Sequence, residues 1–271
     1  MEIPTTTEEY ASKEPYPQRL EGGLRRNYNY HKKNPPNQPL ITIITVVFNG
    51  GEYIESTIKN VLEQKYENIE YIVIDGGSND GTLEIIRKYE AHIEYWISEP
   101  DKGIYDAMNK GWAVADNNSH ILFLGAGDLI LSLPAVNQLR SNKAIFGKVS
   151  MGNNGFFKST SDWKLKLGNT LHHQGLLIHK SLCNEPPFNT QYKVYADYDF
   201  NARLFNKGIN FVFSESFFAY ALPDGLTSQL YVQECLSIIE KNFGILWKVL
   251  AAIYYLYQGI KYGFRRISIF S

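Results

Sequence analysis

Residues 69–82, IEYIVIDGGSNDGT, decide how this chain folds. A run rich in β-branched residues, Ile69 to Ile74, ends abruptly on Asp75. Gly76, Gly77 and a Ser-Asn-Asp-Gly turn follow, and then a helical pattern, LEIIRKYE (83–90). A buried strand that stops on a carboxylate, with glycines opening the next loop, is how open α/β sheets place ligand-binding groups at their carboxyl edge. Asp75 is therefore expected to face a ligand of nucleotide or nucleotide-sugar type, while Asp80, in the turn before the helix, reads as a cap.

The flanking sequence repeats the unit. ITIITVVF (41–48) predicts a buried strand and Asn49-Gly50-Gly51 a turn, after which Ile54, Ile58, Val61 and Leu62 recur at helical spacing. IEYWIS (93–98) predicts a third strand, the loop EPDKG leads to a helix over about 104–115, and HILFL (120–124) runs into Gly125-Ala126-Gly127-Asp128. Four strand–helix alternations predict an α/β fold on a mostly parallel sheet, with the loops gathered along one edge.

Beyond residue 140 the pattern changes. AIFGKVS (144–150) and NGFFKS (154–159) read as short strands joined by an Asn-Asn-Gly turn. A strand is expected within 171–182, a helix in YADYDFNARLFNKG (195–208), a strand at INFVFSE (209–215) and an amphipathic helix over 229–243. The organisation expected is an extension over residues 1–39 that wraps the domain or stays disordered, a catalytic domain over 40–228 with halves 40–130 and 140–228, and a helical segment over 229–271.

Composition narrows the classes. A formal net charge of −1 argues against a nucleic-acid-binding protein. Cys183 and Cys235 are the two cysteines, with no CxxC spacing, so neither a disulfide framework nor a zinc site is indicated. The first forty residues are polar and proline-rich, without the apolar core of a secretory signal, which points to the cytoplasm. At the other end, WKVLAAIYYLYQGIKYGFRRISIF (247–270) is aromatic and basic, and no acidic residue follows Glu240. Its apolar run is too short to span a bilayer. It reads as a peripheral element attracted to anionic lipid at the inner membrane face, or as a helix packed on the domain or a partner subunit.

Taken together, VVFNGGEYIESTIKNVLEQKYENIEYIVIDGGSNDGT, SEPDKGIYDAMNKG and FLGAGD resemble the family 2 glycosyltransferases of the GT-A fold, and among them the bacterial branch that builds surface polysaccharides. The resemblance is tight over about residues 41–130 and looser over 170–228. It implies an inverting transferase that moves a sugar from a UDP- or GDP-type donor to a hydroxyl of a glycan or lipid-linked acceptor. By the same resemblance Val47, Asn49, Asp75 and Gly76 meet the nucleotide, and Asp101, Lys102, Asp106, Asn109 and Gly127 the ribose, diphosphate or donor sugar. Asp106, Asn109 and Lys110 fall at i, i+3 and i+4 and so share one helix face; a solvated Asp106–Lys110 pair is the alternative reading.

Gly125-Ala126-Gly127-Asp128 stands where the family carries its metal-binding acidic motif, which implies Asp128 as the ligand of Mg²⁺ or Mn²⁺. A glycine occupies the place of a second carboxylate. Asp197 and Asp199 stand where the family has its general base, with Asp197 the first choice. His172, His173 and Gln174 resemble an acceptor-side segment, and Lys158 and Trp163 lie in the region that would shape acceptor choice. A catalytically impaired sugar-nucleotide or glycan-binding partner is the alternative. A sugar-1-phosphate nucleotidyltransferase fits less well, because FNGGEY replaces that class's glycine-rich loop with Arg and Lys.

Overall fold

A computed structural model describes residues 19–33, 35, 37–183, 185–223, 230–262, 267 and 268. The parallel heart of the fold is β2 (Ile41–Val47), β3 (Ile69–Asp75), β4 (Tyr95–Ser98) and β5 (His120–Gly125), in spatial order β4-β3-β2-β5. The helices between them are α2 (Ile54–Leu62), α3 (Thr82–Lys88) and α4 (Ile104–Val114). Every residue of β2 and β3 is buried, which is why both read as continuous runs instead of alternating ones. Ile41 and Ile43 pack with Ile54, Ile58 and Ile86 on one face, and Ile44 and Val46 with Met108 and Trp112 on the other. That alternation is the period-2 geometry of a strand covered on both sides.

The sheet does not stop at residue 130. It continues through β9 (Leu176–His179), β7 (Lys143–Ser150), β10 (Asn210–Tyr220) and β6 (Leu129–Ser132), with β8 (Phe156–Phe157) pairing on β7; β1 (Leu20–Gly22), at the opposite edge, is the tenth strand. β9 is antiparallel to both β5 and β7, whereas β7 and β10 are parallel. The expected turn at Asn153–Gly155 joins β7 to a β8 of two residues. β10 extends well past the expected 209–215, and β6, at the far edge, gave no clear sequence signal. Gly147 of β7 lies so close to the Phe217 carbonyl of β10 that a Cβ there would overlap it. Only glycine permits this spacing.

Three further helices close the face carrying Trp112. They are α5 (Ala196–Asn206), α6 (Val232–Phe243) and α7 (Ile245–Tyr262). The small strands β11 (Leu230–Tyr231) and β12 (Ile267–Ser268) pair with each other.

Residues 1–18 of the expected extension lie outside the described residues, but structure begins before Leu40. β1 (Leu20–Gly22) pairs antiparallel with β4, and α1 (Leu24–Tyr28) follows it. From α1, Arg25 reaches the buried Glu70 and donates to the Val114 carbonyl at 2.6 Å. Glu70 also accepts from Thr42 Oγ1 at 2.6 Å and from the Asp116 amide at 3.1 Å. A buried carboxylate on a central strand is tolerable only with such partners, so Arg25 fastens this segment to the sheet.

Candidate active site

The carboxyl ends of β2 to β5 share one edge, as the alternation predicts. At the β2–β3 end of that edge the polar groups mostly hold one another. Val47 accepts the Gly76 amide at 2.9 Å. Asn49 adopts a positive φ of 49°, its amide donates to Ser78 Oγ at 2.7 Å and its Oδ1 accepts the Asn79 amide at 3.0 Å. Asp75 is fully buried and accepts from the Ser78 amide at 3.1 Å and from Ser98 Oγ at 2.6 Å. Asp75 thus shapes the loop 76–80 at the sheet edge. Asp80 accepts from Thr82 and the Gly51 amide, one position before the helix cap, joining the two glycine turns.

Two further groups stand on this edge. Asp101 lies over Gly76, where a side chain would collide with its carboxylate; burial raises its pKa above the ordinary value, opposed by the Gly103 amide, which donates to it at 2.8 Å. Phe48 is 65% exposed beside the same glycine. A large exposed ring at a sheet edge offers a stacking surface. Sequence reasoning passed over it because one phenylalanine after a buried strand looks like more core.

The segment 101–110 divides. Lys102 is exposed, its amide donating to Asp106 at 3.0 Å. Lys110 pairs with Glu99 at 3.0 Å and lies 3.7 Å from Asp106, so the ion-pair reading of that helix face holds. Asn109 departs from the expectation of a donor contact. Both ends of its amide are taken by the backbone of Phe188, at 2.7 and 3.0 Å, so it pins a distant loop instead.

Beyond β5 the edge opens into a cleft of about 1400 Å³. Asp128 lies in one wall and is 4% exposed. Its Oδ2 accepts from the Gly125 amide at 2.6 Å and Gln174 Nε2 at 2.8 Å, and its Oδ1 from the Leu222 amide at 2.9 Å. Burial pushes its carboxyl pKa up, and the three N–H donors oppose that. Gly127, at φ 96°, gives the turn its shape, donates to Thr57 Oγ1 at 2.8 Å, and leaves space that a Cβ would contest with Leu222.

Across the cleft Asp197 sits in the first turn of α5, 8% exposed. Its Oδ1 accepts from the Tyr198 amide at 2.8 Å and the Tyr105 hydroxyl at 3.3 Å. Its Oδ2 accepts from Asn169 Nδ2 at 3.1 Å and lies 3.5 Å from His173 Nδ1. Asp199 is different. Two residues on along a helix is the opposite face, and there its fully buried carboxylate meets Arg203 at 3.0 Å and Lys241 at 3.1 Å. As a candidate base Asp199 is therefore corrected: it ties α5 to α6 and does not line the cleft.

His172, His173 and Gln174 form a short 3₁₀ turn entry that spans the two acids, His173 towards Asp197 and Gln174 on Asp128. Burial, helped by His173, pushes the His172 pKa down to about 4, which leaves a neutral imidazole. Among the described residues no group of three or more His, Cys, Asp and Glu side chains forms a ready-made metal cage. Asp128 Oδ1 has one N–H partner, however, and the buried Gln174, which donates to Asp128 Oδ2, carries a second oxygen, Oε1. Two hard oxygens, completed by a ligand's phosphate oxygens, suit a divalent cation such as Mg²⁺.

Two positioning groups carried no local sequence signal. Asn169 reaches Asp197 from a loop, and Glu234 of α6 accepts the consecutive amides of Lys193, Val194 and Tyr195 at 3.0, 2.9 and 2.6 Å, fixing the approach to α5.

Residues 42–170 match the Glycosyl transferase family 2 profile. An uncharacterized glycosyltransferase of Mycobacterium tuberculosis is 43% identical over 91 residues, 33% of this chain and 34% of that protein. This chain therefore spans about a third of the relative's length in that match. A PGL/p-HBAD biosynthesis glycosyltransferase of the same organism is 27% identical over 181 residues, covering 62% of this chain and 70% of the relative. Among solved structures, S. aureus TarS 1–349 in complex with UDP superposes with a TM-score of 0.59 at 15% identity, over 83% of this chain and 73% of that one. A mannosyltransferase from Pyrobaculum calidifontis in complex with GDP-Man and Mn²⁺ superposes with a TM-score of 0.56 at 19% identity, over 89% and 80%.

Proposed function

Residues 42–170 belong to glycosyltransferase family 2 on a GT-A fold, and from that premise we propose that this chain transfers a sugar from a nucleoside-diphosphate donor to an acceptor hydroxyl, with inversion, in surface-polysaccharide assembly. The observation that carries the reading is the pairing of two acids across one cleft, Asp128 on the sheet side and Asp197 on the helix side, through His173 and Gln174.

In this reading the base and ribose lie along the edge formed by Val47, Asn49, Asp75 and Gly76, with Phe48 against the base and Asp101 and Lys102 towards the ribose and phosphates. Asp106 fixes the Lys102 backbone. Gly127 lets the chain turn so that Asp128 and Gln174 present their oxygens to the diphosphate end, where they would hold Mg²⁺ or Mn²⁺. There a cation would supply positive charge against the departing diphosphate. Asp197 accepts the acceptor's hydroxyl proton while that oxygen bonds to the anomeric carbon and the bond to the diphosphate oxygen breaks. Tyr105 and Asn169 hold the carboxylate in place, and His172 and His173 line the acceptor side. UDP- and GDP-sugars are both reasonable donors, since the two structural neighbours were solved with UDP and with GDP-Man. The C-terminal segment supplies a peripheral membrane contact.

The test is a panel of UDP-, GDP- and dTDP-sugars with Mg²⁺ or Mn²⁺, scored by released nucleoside diphosphate and by calorimetric binding. Slow, EDTA-sensitive hydrolysis of one donor class is expected. Tight binding with no turnover under any acceptor would indicate a sugar-nucleotide-binding partner instead, and no binding at all would sink both.

A further inference from the structure

We infer that the outer face of α7 seats this protein on an anionic lipid surface with the cleft mouth turned towards the bilayer, so that a membrane-anchored acceptor approaches Asp197 from that side; the acceptor limb rests on the transferase reading. Leu246, Val249, Ile253, Leu256 and Ile260 recur at helical spacing and are 68, 49, 59, 55 and 75% exposed. Ala251, on the other side of the helix, is fully buried, so α7 is docked on the domain by one face and bare on the other. A stripe of this length is far beyond the scattered apolar side chains of an ordinary surface. Among the described residues no helix is long and apolar enough to cross a membrane, so a lipid contact here lies in the interface plane.

Charge selects the occupant. Between Lys241 and Ser271 there are five cationic residues and no acidic one. Lys241 and Lys248 are paired with Asp199 and Glu240, while Lys261, Arg265 and Arg266 fall close together in the sequence. Anionic headgroups would answer that cluster. A second copy of the same segment would bring no acid to it, as a self-complementary interface requires.

Orientation follows from how α7 meets the cleft rim. Tyr255 donates to the Leu167 carbonyl at 2.8 Å, and Lys166 lies 4.9 Å from the ring centre of Trp247. The rim segment 163–168 is thus packed on α7. Trp163, 56% exposed, and Tyr254, 43% exposed, line the cleft and continue the aromatic surface outward. Tryptophan, tyrosine and lysine together are the side chains that settle at headgroup level.

The test uses the full chain and sedimentation with vesicles of phosphatidylcholine alone or with phosphatidylglycerol. Binding to the anionic vesicles is expected to exceed that to neutral ones and to weaken with salt. The exposed pair L246S/I253S should lower the partition coefficient at least about tenfold, while sugar-nucleotide affinity stays unchanged. Brominated lipid should quench tryptophan fluorescence, and W163F should remove part of that quenching, Trp247 of α7 supplying the rest. No preference for anionic vesicles, or full binding by L246S/I253S, overturns the lipid contact. So does concentration-dependent dimerisation that L246S/I253S abolishes, which would give the face to a second copy. Quenching unchanged in W163F overturns the orientation. Vesicle binding without turnover of any sugar nucleotide would remove the transferase reading and the acceptor limb, and leave the lipid contact standing.

Discussion

Asp197 and Asp199 are chemically the same group two positions apart, and the backbone between them separates their roles. Asp197 faces a cleft and accepts only neutral donors and a histidine nitrogen, whereas Asp199 is neutralised by Arg203 and Lys241. Asp197→Asn should lower the transfer rate by about 10²–10⁴-fold with nucleotide affinity within a few fold of wild type; an equal collapse of nucleotide binding would show that it is not simply a base. Asp199→Asn should instead destabilise the fold by about 1–3 kcal/mol, read by urea unfolding, with the surviving enzyme's pH–rate profile unmoved. The pair YADYD pointed to a site in the sequence, with Asp197 preferred over Asp199 on resemblance alone. α5 is buried on nearly every side, so neither acid stood on an evident polar face. Asn109 misled for a related reason: its partner, Phe188, lies 79 residues away and leaves no local trace.

At the scale of elements, α6 governs α5 from both ends. Glu234 gathers the three amides that precede α5, and Lys241 and Asn242 hold Asp199. Glu234→Ala should lower kcat by about tenfold, because small misplacement of a base is costly, while KM for the donor barely changes. Glu234→Gln, which keeps an acceptor oxygen, should recover part of the loss. A purely structural Glu234 would lower thermal stability and leave kcat of the folded fraction intact. The strands β2 to β5 were legible because each is a buried run closed by a glycine or acid. β6, β1 and α1 were not, since they are short and their stability comes from pairing with distant strands and from Arg25 on Glu70.

For the molecule as a whole, acid sensitivity should draw on two buried histidines, His172 and His120, of which His120 lies away from the cleft. It is 3% exposed on β5, and its ring centre lies 4.8 Å from that of His179. Burial, reinforced by His179, pushes its pKa down to about 4. Between the unfolded value of about 6.5 and that folded value, the unfolded chain binds a proton that the folded chain does not. Stability therefore falls as pH drops through this window, by about 1–3 kcal/mol. His120→Asn should flatten the slope of unfolding free energy between those limits, measured by denaturant titration at several pH values; an unaltered slope would assign it elsewhere.

The single continuous sheet also makes the site vulnerable at a distance. β7 and β10 approach so closely at Gly147 that no side chain fits, and β10 ends just before Leu222, whose amide holds Asp128. In a saturation screen scored by transfer activity, Gly147 should behave like a member of the active site. Gly147→Ala should reach the cell in reduced amount and retain less activity per folded molecule, although no atom of residue 147 lines the cleft. A clinical or environmental variant at this position would pass any inspection of the motifs and still be a loss-of-function allele.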